Sequence, residues 1–241
     1  MFYCQTCLTP STRPRIVFNN GICNACNYAK KVNDNIINFD TRKKELEDLI
    51  VRIKEKKISN KSNYDCIIPW SGGKDSSAIA LHLKEDYGIN PLLVRFNALI
   101  PTDVGIHNCK ELRDYGFDSI EIIPNVKVSK SLSLRFLIER GNPKLHWDAG
   151  INAAIYRTAV HTGIPFIFYA EHGETHYGGR VLNKNSERIR DYEEVIENQI
   201  GDNPINWTDE KVNTEDLYPY ILPRLDELSL SLIHISEPTR L

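Results

Sequence analysis

Residues 64–77 have the sequence YDCIIPWSGGKDSS, and residues 78–88, AIALHLKEDYG, continue it with the spacing of a helix. The apolar run Tyr64–Pro69 predicts a buried strand that leads through a tight turn directly into that helix. Gly72 and Gly73 permit backbone conformations and close approaches that side chains would block. Because the backbone N–H groups of such a turn and of the helix start converge, this stretch predicts a binding site for an anion.

The side chains of the turn favour a phosphate ligand. Lys74 adds a positive charge, and Ser71 and Ser76 add hydroxyl donors. Asp75 is the exception, since a carboxylate repels phosphate unless a cation lies between them, and we therefore predict it to be a Mg²⁺ ligand. The pattern is neither the G-x4-G-K-[ST] loop nor the G-x-G-x-x-G loop of other nucleotide-binding proteins. A simple Ser/Gly turn between strand and helix is the alternative.

From residue 61 onward, short apolar runs alternate with helical periods. This alternation predicts an α/β fold with a parallel sheet, right-handed crossovers and helices on both faces. Ligands of such sheets bind at the carboxyl ends of the strands. The predicted strands are Tyr64–Pro69, Leu92–Asn97, Ser119–Ile123 and Pro165–Ala170, and the predicted helices cover about 75–86, 104–115, 129–140 and 148–162.

The composition is that of a folded protein of ordinary size. The chain has 241 residues, 30 Lys+Arg against 32 Asp+Glu, a formal charge of −2, 41% hydrophobic residues and 26% charged residues. These values indicate one α/β domain with a small appendage, and they argue against disorder and against a nucleic-acid partner. No run approaches the roughly 20 apolar residues of a membrane span, and no signal peptide is recognisable. We therefore predict a cytoplasmic protein without a membrane partner.

Four of the six cysteines form the pattern Cys4-x2-Cys7-x15-Cys23-x2-Cys26, which is the spacing of a four-thiolate zinc site. Two such knuckles close a tetrahedron without an open position, so the predicted zinc is structural. Metal binding then supplies the folding energy of a segment that has few apolar residues. Disulfides and a redox-active pair are the alternatives, and the second is disfavoured because neither pair is expected to open a helix after a strand.

A connecting helix is predicted at 40–57, with Asp40 or Thr41 as its N-cap. Its apolar stripe is predicted to pack against the following domain. Beyond about residue 180 the chain becomes polar, with a predicted helix at 182–199 and loops at 200–224. The stripe consists of Leu46, Leu49, Ile50 and Ile53.

The end of the chain departs from the rest. LSLIHISEPTR (230–240) resembles the translation of a sequencing-library adapter, with a genuine amphipathic tail as the alternative. The predicted units are a zinc-knuckle module (1–30), the connecting helix (31–60), an ATP-binding α/β domain (61–180), the start of a truncated C-terminal substrate region (181–229) and the adapter-derived segment (230–241).

SGGKDS after the first strand resembles the PP-loop of the N-type ATP pyrophosphatase superfamily, whose fold is of the adenine-nucleotide α-hydrolase-like type. Members cleave ATP between the α- and β-phosphates, adenylate a substrate oxygen and release pyrophosphate, after which ammonia or sulfur displaces AMP. The resemblance implies catalytic roles for Lys74 and Asp75 and a nucleoside contact for Arg95, for which simple solvation is the alternative. The ATP-binding residues so implied are Ser71, Gly72, Gly73, Lys74, Asp75, Ser76, Ser77 and Arg95.

Three further stretches are GICNAC (21–26), residues 97–125, and LHWDAGI (145–151) followed by FIFYAEHGETHYGG (166–179). Together with the PP-loop they resemble the N-acetyl sugar amidotransferase family of surface-polysaccharide, O-antigen and lipopolysaccharide, and nonulosonic-acid biosynthesis. The resemblance implies an ATP- and Mg²⁺-dependent enzyme that converts the acetamido group of an N-acetylated sugar or nucleotide sugar into an acetamidino group. Its implied partners are a glutaminase and a synthase-like subunit that supply ammonia.

This chemistry requires no protein nucleophile. Adenylation turns the amide oxygen into a leaving group that ammonia can displace, and positioning and electrostatics supply the catalysis. Cys66 and Cys109 are therefore predicted to be small buried residues.

Substrate contacts are expected after the fourth strand and at the start of the helix predicted at about 148–162. Glu171 is predicted to be catalytic, orienting ammonia or binding Mg²⁺, with a plain polar loop as the alternative. Trp147 either stacks on a sugar or base or belongs to the core, and Asp148 is alternatively an N-cap. The predicted substrate-binding residues are His146, Trp147, Asp148, His172, Gly173, Glu174, Tyr177, Gly178 and Gly179.

Two other functions remain open. A PP-loop tRNA-modifying enzyme of the thiolase type predicts a basic surface and further catalytic cysteines, whereas this chain has a charge of −2 and no CxxC after residue 26. A non-catalytic nucleotide-binding subunit is disfavoured by the intact Asp75 and Ser76, and favoured by the predicted truncation.

Overall fold

In a computed structural model of the protein, the predicted strands and helices alternate along the chain. The structure describes residues 1–13, 16–34, 38–59, 62–170, 195–229 and 233–236. Its elements are β1 (Phe18–Asn19), β2 (Ile22–Cys23), α1 (Asn24–Asn33), α2 (Phe39–Ser59), β3 (Cys66–Pro69), α3 (Lys74–Glu85), β4 (Pro91–Phe96), α4 (Asp103–Asp114), β5 (Ser119–Ile122), α5 (Val126–Arg140), α6 (Leu145–Thr162), β6 (Phe166–Tyr169), α7 (Leu225–Ser229) and β7 (Ile233–Ser236).

Parallel strands form the central sheet in the order β5-β4-β3-β6-β7. Cys66 of β3 is in register with Pro91 of β4, and Ile67 is in register with Ile167 of β6. The chain therefore runs from β3 outward to β5 and then returns to the other side of β3. In parallel sheets, a ligand binds at the carboxyl ends of the strands, at the point where the strand order reverses. In this sheet, that point lies beside β3. The predicted α/β fold with a parallel sheet is confirmed.

Helices cover both faces of the sheet because its inner strands are apolar on both sides. Ile67 and Val94 belong to the cluster formed with α5 and α6, whereas Ile68 and Leu93 belong to the cluster formed with α2, α3 and α4. Strands that are buried on both faces are typical of parallel sheets. None of the helices in the described ranges has the length and apolar character of a membrane span.

The connecting helix α2 starts one residue before the predicted position. Asn38 Oδ1 accepts hydrogen bonds from the backbone N–H groups of Asp40 (2.9 Å) and Thr41 (3.1 Å), which makes Asn38 the N-cap. The predicted caps are therefore wrong, because the first turn already contains both residues. The predicted stripe is confirmed, since Leu49, Ile50 and Ile53 are buried and Leu46 packs against the same cluster.

Residues 195–224 pack onto α5 and α6. Trp207 stacks edge-on against Phe136 at 4.8 Å, and the hydroxyls of Tyr220 and Ser129 lie 2.9 Å apart. Val195–Ile200 forms a single turn of π-helix, and the rest consists of loops and short 3₁₀ turns, as predicted. The remainder of the helix predicted at 182–199 lies outside the described residues. This segment therefore shares its hydrophobic core with the sheet.

The strand β7 falls within the segment that the sequence analysis attributes to an adapter. It pairs in parallel with β6, with Phe166 in register with Ile233. An open sheet edge accepts any short segment of suitable backbone, so this pairing does not test the origin of the segment. The attribution stays a prediction.

Gly150→Ala is expected to destabilise the protein by about 1–3 kcal/mol, because it overpacks the contact between α6 and β4. A Cβ at Gly150 would lie well inside van der Waals contact with the ring of Phe96, which is buried at the end of β4. This cost exceeds the helix-propensity gain of about 1 kcal/mol. Urea denaturation measures the difference.

Gly105→Ala in α4 is the matched control, because its added Cβ would lie 3.2 Å from the hydroxyl oxygen of the N-cap residue Thr102, a far looser contact than the one at Gly150. We expect this variant to be neutral or slightly stabilised. Equal stability of the two variants would contradict the close packing of Gly150 on Phe96.

Candidate anion-binding site and cysteine cluster

The turn between β3 and α3 lies at the carboxyl end of β3. Gly72 has a φ of +79°, which favours glycine, and Gly73 is the extended N-cap residue of α3. Among the described residues no side chain caps this helix, so its first-turn N–H groups are available to an anion. The Ser71 hydroxyl accepts a hydrogen bond from the Gly73 N–H at 3.2 Å. We call Ser71–Ser77 the loop segment.

The charged side chains of the loop segment face solvent. Lys74 Nζ lies 2.8 Å from Asp75 Oδ1, and the two side chains are 89% and 64% exposed. An exposed pair of this kind is worth little, so both groups can rearrange around a ligand. Ser76 is buried and donates to the Gly73 carbonyl (3.4 Å), and Ser77 Oγ accepts from Trp70 Nε1 (3.3 Å). The hydroxyls of Ser76 and Ser77 thus stabilise the turn itself.

The start of α4 packs directly on the loop segment. Asn108 Nδ2 donates to the Gly72 carbonyl at 2.9 Å. A Cβ at Gly72 would lie 2.8 Å from Cys109 Sγ and 3.2 Å from the Gly105 carbonyl oxygen. No role was predicted for Gly105 or Asn108, and Cys109 was predicted only to be a small buried residue. Their spacing of i, i+3 and i+4, which places them on one helix face, is the signal that was available.

Arg95 points at α4. Its guanidinium donates to Cys109 Sγ at 2.6 Å. The nucleoside contact of Arg95 stays a prediction. Cys109 and Cys66 are buried, as predicted. Burial raises the pKa of both thiols, and the positive charge of Arg95 opposes this only in part at Cys109. Neither cysteine is therefore prepared to act as a nucleophile.

The helix α6 begins at Leu145, so Asp148 lies in its first turn and the predicted N-cap role is wrong. Burial raises the pKa of the Asp148 carboxyl and lowers that of His146 to about 4, so the imidazole is neutral at pH 7. His146 Nδ1 and Trp147 Nε1 are buried without a hydrogen-bond partner in the described part of the chain. Trp147 also packs against the core, which supports the core alternative for its ring.

The residues predicted to follow the fourth strand lie outside the described ranges. The structure thus brings the loop segment and α4 together, and the predicted roles of the residues that follow the fourth strand stay predictions. These residues are Glu171, His172, Gly173, Glu174, Tyr177, Gly178 and Gly179.

The four N-terminal cysteines converge. All four sulfur atoms lie within 4.8 Å of one another, with Cys4–Cys26 at 3.9 Å and Cys7–Cys23 at 3.6 Å. A zinc tetrahedron with bonds of about 2.3 Å has sulfur–sulfur edges of about 3.8 Å. None of these cysteines forms a disulfide. The cluster has the geometry to hold a metal ion such as zinc.

Hydrogen bonds from nearby backbone N–H groups orient the sulfur atoms. Cys4 Sγ accepts from the N–H groups of Cys23 (3.3 Å) and Thr6 (3.5 Å). Burial raises the pKa of the Cys4 thiol, but the backbone N–H donors outweigh burial and lower that pKa to about 6. Burial and the neighbouring sulfur atoms raise the pKa of Cys26. The second pair does lie where β2 leads into α1, so the predicted absence of a strand–helix junction is wrong. Convergence of four sulfur atoms, not this junction, distinguishes a metal site from a redox pair.

The central sheet, the loop segment and the four cysteines define an α/β protein. It has a candidate anion site at the point where the strand order of the parallel sheet reverses, and a separate four-cysteine site. No family model matches the chain. The "Uncharacterized protein MJ1599" of Methanocaldococcus jannaschii is 34% identical over 93 residues, which are 38% of this chain and 31% of that relative. The chain thus matches less than a third of the length of this curated relative.

A solved structure is similar over part of the chain. It is described as a predicted subunit of a tRNA methyltransferase from Methanocaldococcus jannaschii, is 23% identical, and aligns with 54% of this chain and 59% of its own, with a TM-score of 0.31. A likeness at this level carries no argument about fold or function.

Proposed function

We propose that the protein binds ATP through the loop segment and cleaves it between the α- and β-phosphates. The observation that carries this proposal is the uncapped start of α3 behind Gly72 and Gly73, at the reversal point of the sheet. Backbone N–H groups there suit the pyrophosphate portion of a nucleotide. The exposed Lys74 adds positive charge at the same place.

Asp75 fits the role of a Mg²⁺ ligand. Its carboxylate is exposed at the start of α3 and, within the described residues, pairs with the neighbouring Lys74. Mg²⁺ prefers carboxylate and phosphate oxygens, and it would neutralise charge on the departing pyrophosphate. Asp75 would hold that ion beside the loop segment, while the helix start binds the phosphate oxygens.

We propose as the reaction the amidotransfer that the N-acetyl sugar amidotransferase resemblance implies. The acetamido oxygen attacks the α-phosphorus of ATP, the bond to the β-phosphate oxygen breaks, and pyrophosphate leaves. Ammonia then adds to the amide carbon and AMP departs with the former amide oxygen, giving an acetamidino sugar after loss of a proton. His146 Nδ1 and Trp147 Nε1 are buried and have no hydrogen-bond partner among the described residues, which supports a polar ligand near the start of α6.

The partners of this reaction are part of the same proposal. Glutaminase and synthase-like subunits would supply the ammonia, and Glu171 would orient it. We also propose that Cys4, Cys7, Cys23 and Cys26 hold a structural zinc ion, which the convergence of their four sulfur atoms to within 4.8 Å supports.

The proposal is tested by incubating the protein with ATP, Mg²⁺, ammonium and a panel of N-acetylated nucleotide sugars, followed by mass spectrometry. AMP, pyrophosphate and a sugar in which NH replaces one oxygen are the expected products. ADP would exclude α–β cleavage. AMP that forms only when tRNA is added would move the function to RNA modification.

Asp75→Asn is expected to lower this turnover about 100-fold, because it removes the carboxylate that holds Mg²⁺ against the phosphates. Asp86→Asn is the matched control, since Asp86 is an exposed carboxylate at the other end of α3 that pairs with His82. The control is expected to keep wild-type turnover. Equal rates of AMP formation in the two variants would contradict the role of Asp75.

A further inference from the structure

We infer that Asn108 is a positioning residue that holds the loop segment in its anion-binding conformation. This inference rests on the proposed function, because its expected consequence is that the loop segment binds phosphate groups more tightly. Asn108 lies on α4, remote in sequence from the loop segment, and touches none of the groups proposed to contact the nucleotide except through Gly72.

The hydrogen bond fixes the residue on which the turn depends. Asn108 Nδ2 donates to the Gly72 carbonyl at 2.9 Å, and Gly72 is buried with a φ of +79°. The peptide that carries this carbonyl also carries the N–H of Gly73, the N-cap residue of α3. Fixing the carbonyl therefore fixes the direction of the next N–H and the start of the helix.

α4 is attached to the sheet at the residue next to Asn108. Cys109, the next residue, accepts a hydrogen bond from Arg95 of β4 at 2.6 Å. Thr102 caps the helix by accepting from the Gly105 N–H at 3.1 Å. A donor on a rigid element can impose a conformation on a loop, whereas a donor on a mobile element only follows it.

The loop segment has a second anchor at its other end. Trp70 Nε1 donates to Ser77 Oγ at 3.3 Å, and the Trp70 backbone N–H donates to the Val94 carbonyl at 2.9 Å. With Asn108 in place, both ends of the loop segment are attached to the sheet or to α4. A preformed loop binds its anion without the cost of ordering the backbone.

The inference is tested with Asn108→Leu, which lacks the donor, and Asn108→Asp, which keeps the shape but presents a carboxylate to the Gly72 carbonyl. His107→Leu is the matched control, because His107 is an exposed neighbour on α4. Hydrogen exchange by mass spectrometry without ligand follows residues 71–77. Calorimetry then measures the Kd of pyrophosphate with Mg²⁺.

We expect faster exchange at 71–77 and a pyrophosphate Kd raised about tenfold in both Asn108 variants, a loss of about 1.4 kcal/mol, with no change in the control. Exchange equal to that of the control would overturn the inference. If wild-type protein binds no pyrophosphate, the proposed function fails, and the exchange data alone decide whether Asn108 holds the loop. If wild type and both variants bind pyrophosphate equally, the function stands and the inference falls.

Discussion

Removal of the proposed zinc ion is expected to unfold the N-terminal segment while the central sheet stays folded. In residues 1–13 and 16–34, which we call the cysteine module, the buried apolar side chains are Cys4 and Cys23 themselves. Phe2, Tyr3 and Leu8 are more than half exposed, so burial stabilises this module very little. Zinc contributes about 10–16 kcal/mol of apparent folding free energy in comparable small modules.

Chelation followed by hydrogen exchange measures this effect segment by segment. Protection in the cysteine module should disappear, whereas β3, β4 and β6 should keep theirs. Cys23→Ser should reduce the metal content from about one ion per chain to nearly none. Cys66→Ala is the control that keeps the metal, because Cys66 is buried in the sheet. Unchanged protection of the module after complete metal removal would contradict a structural metal site.

Gly72→Ala is expected to abolish pyrophosphate binding and to destabilise the protein by about 2–5 kcal/mol. Two costs add. A side chain at a φ of +79° costs about 1–2 kcal/mol, and a Cβ only 2.8 Å from Cys109 Sγ and 3.2 Å from the Gly105 carbonyl overpacks the contact by about 1–3 kcal/mol. Because α4 is held by Arg95, the loop segment must move, and the N–H groups at the start of α3 move with it.

Gly88→Ala separates the two costs. Gly88 has a φ of +62° but no atom within 4 Å of an added Cβ, so this variant bears only the backbone strain. We expect it to lose about 1 kcal/mol and to bind pyrophosphate normally. Thermal denaturation and calorimetry on both variants measure the difference. If Gly72→Ala is no less stable than Gly88→Ala and still binds pyrophosphate, the packing of α4 on the loop segment is not what defines the site.

Local sequence patterns determined the elements that lie close together in the chain. The apolar runs of β3 and β4, the glycines of the turn and the CxxC spacing each act within a few residues, so their consequences are visible without the fold. The short range of these local patterns also explains why the N-caps predicted for α2 and α6 were wrong. Whether Asn38 or Asp40 caps α2 depends on where the first turn starts, and periodicity determines helix boundaries only to within a few residues.

The tertiary structure determined which residues that are distant in the sequence contact each other. The sequence by itself determined a parallel α/β sheet, a glycine turn at the end of β3 and a four-cysteine cluster. Only the fold placed Asn108 on the Gly72 carbonyl, Arg95 on Cys109 and Trp207 on Phe136. The physical reason is that these contacts depend on the angle at which helices pack on the sheet, which is set by the whole core and not by any single segment.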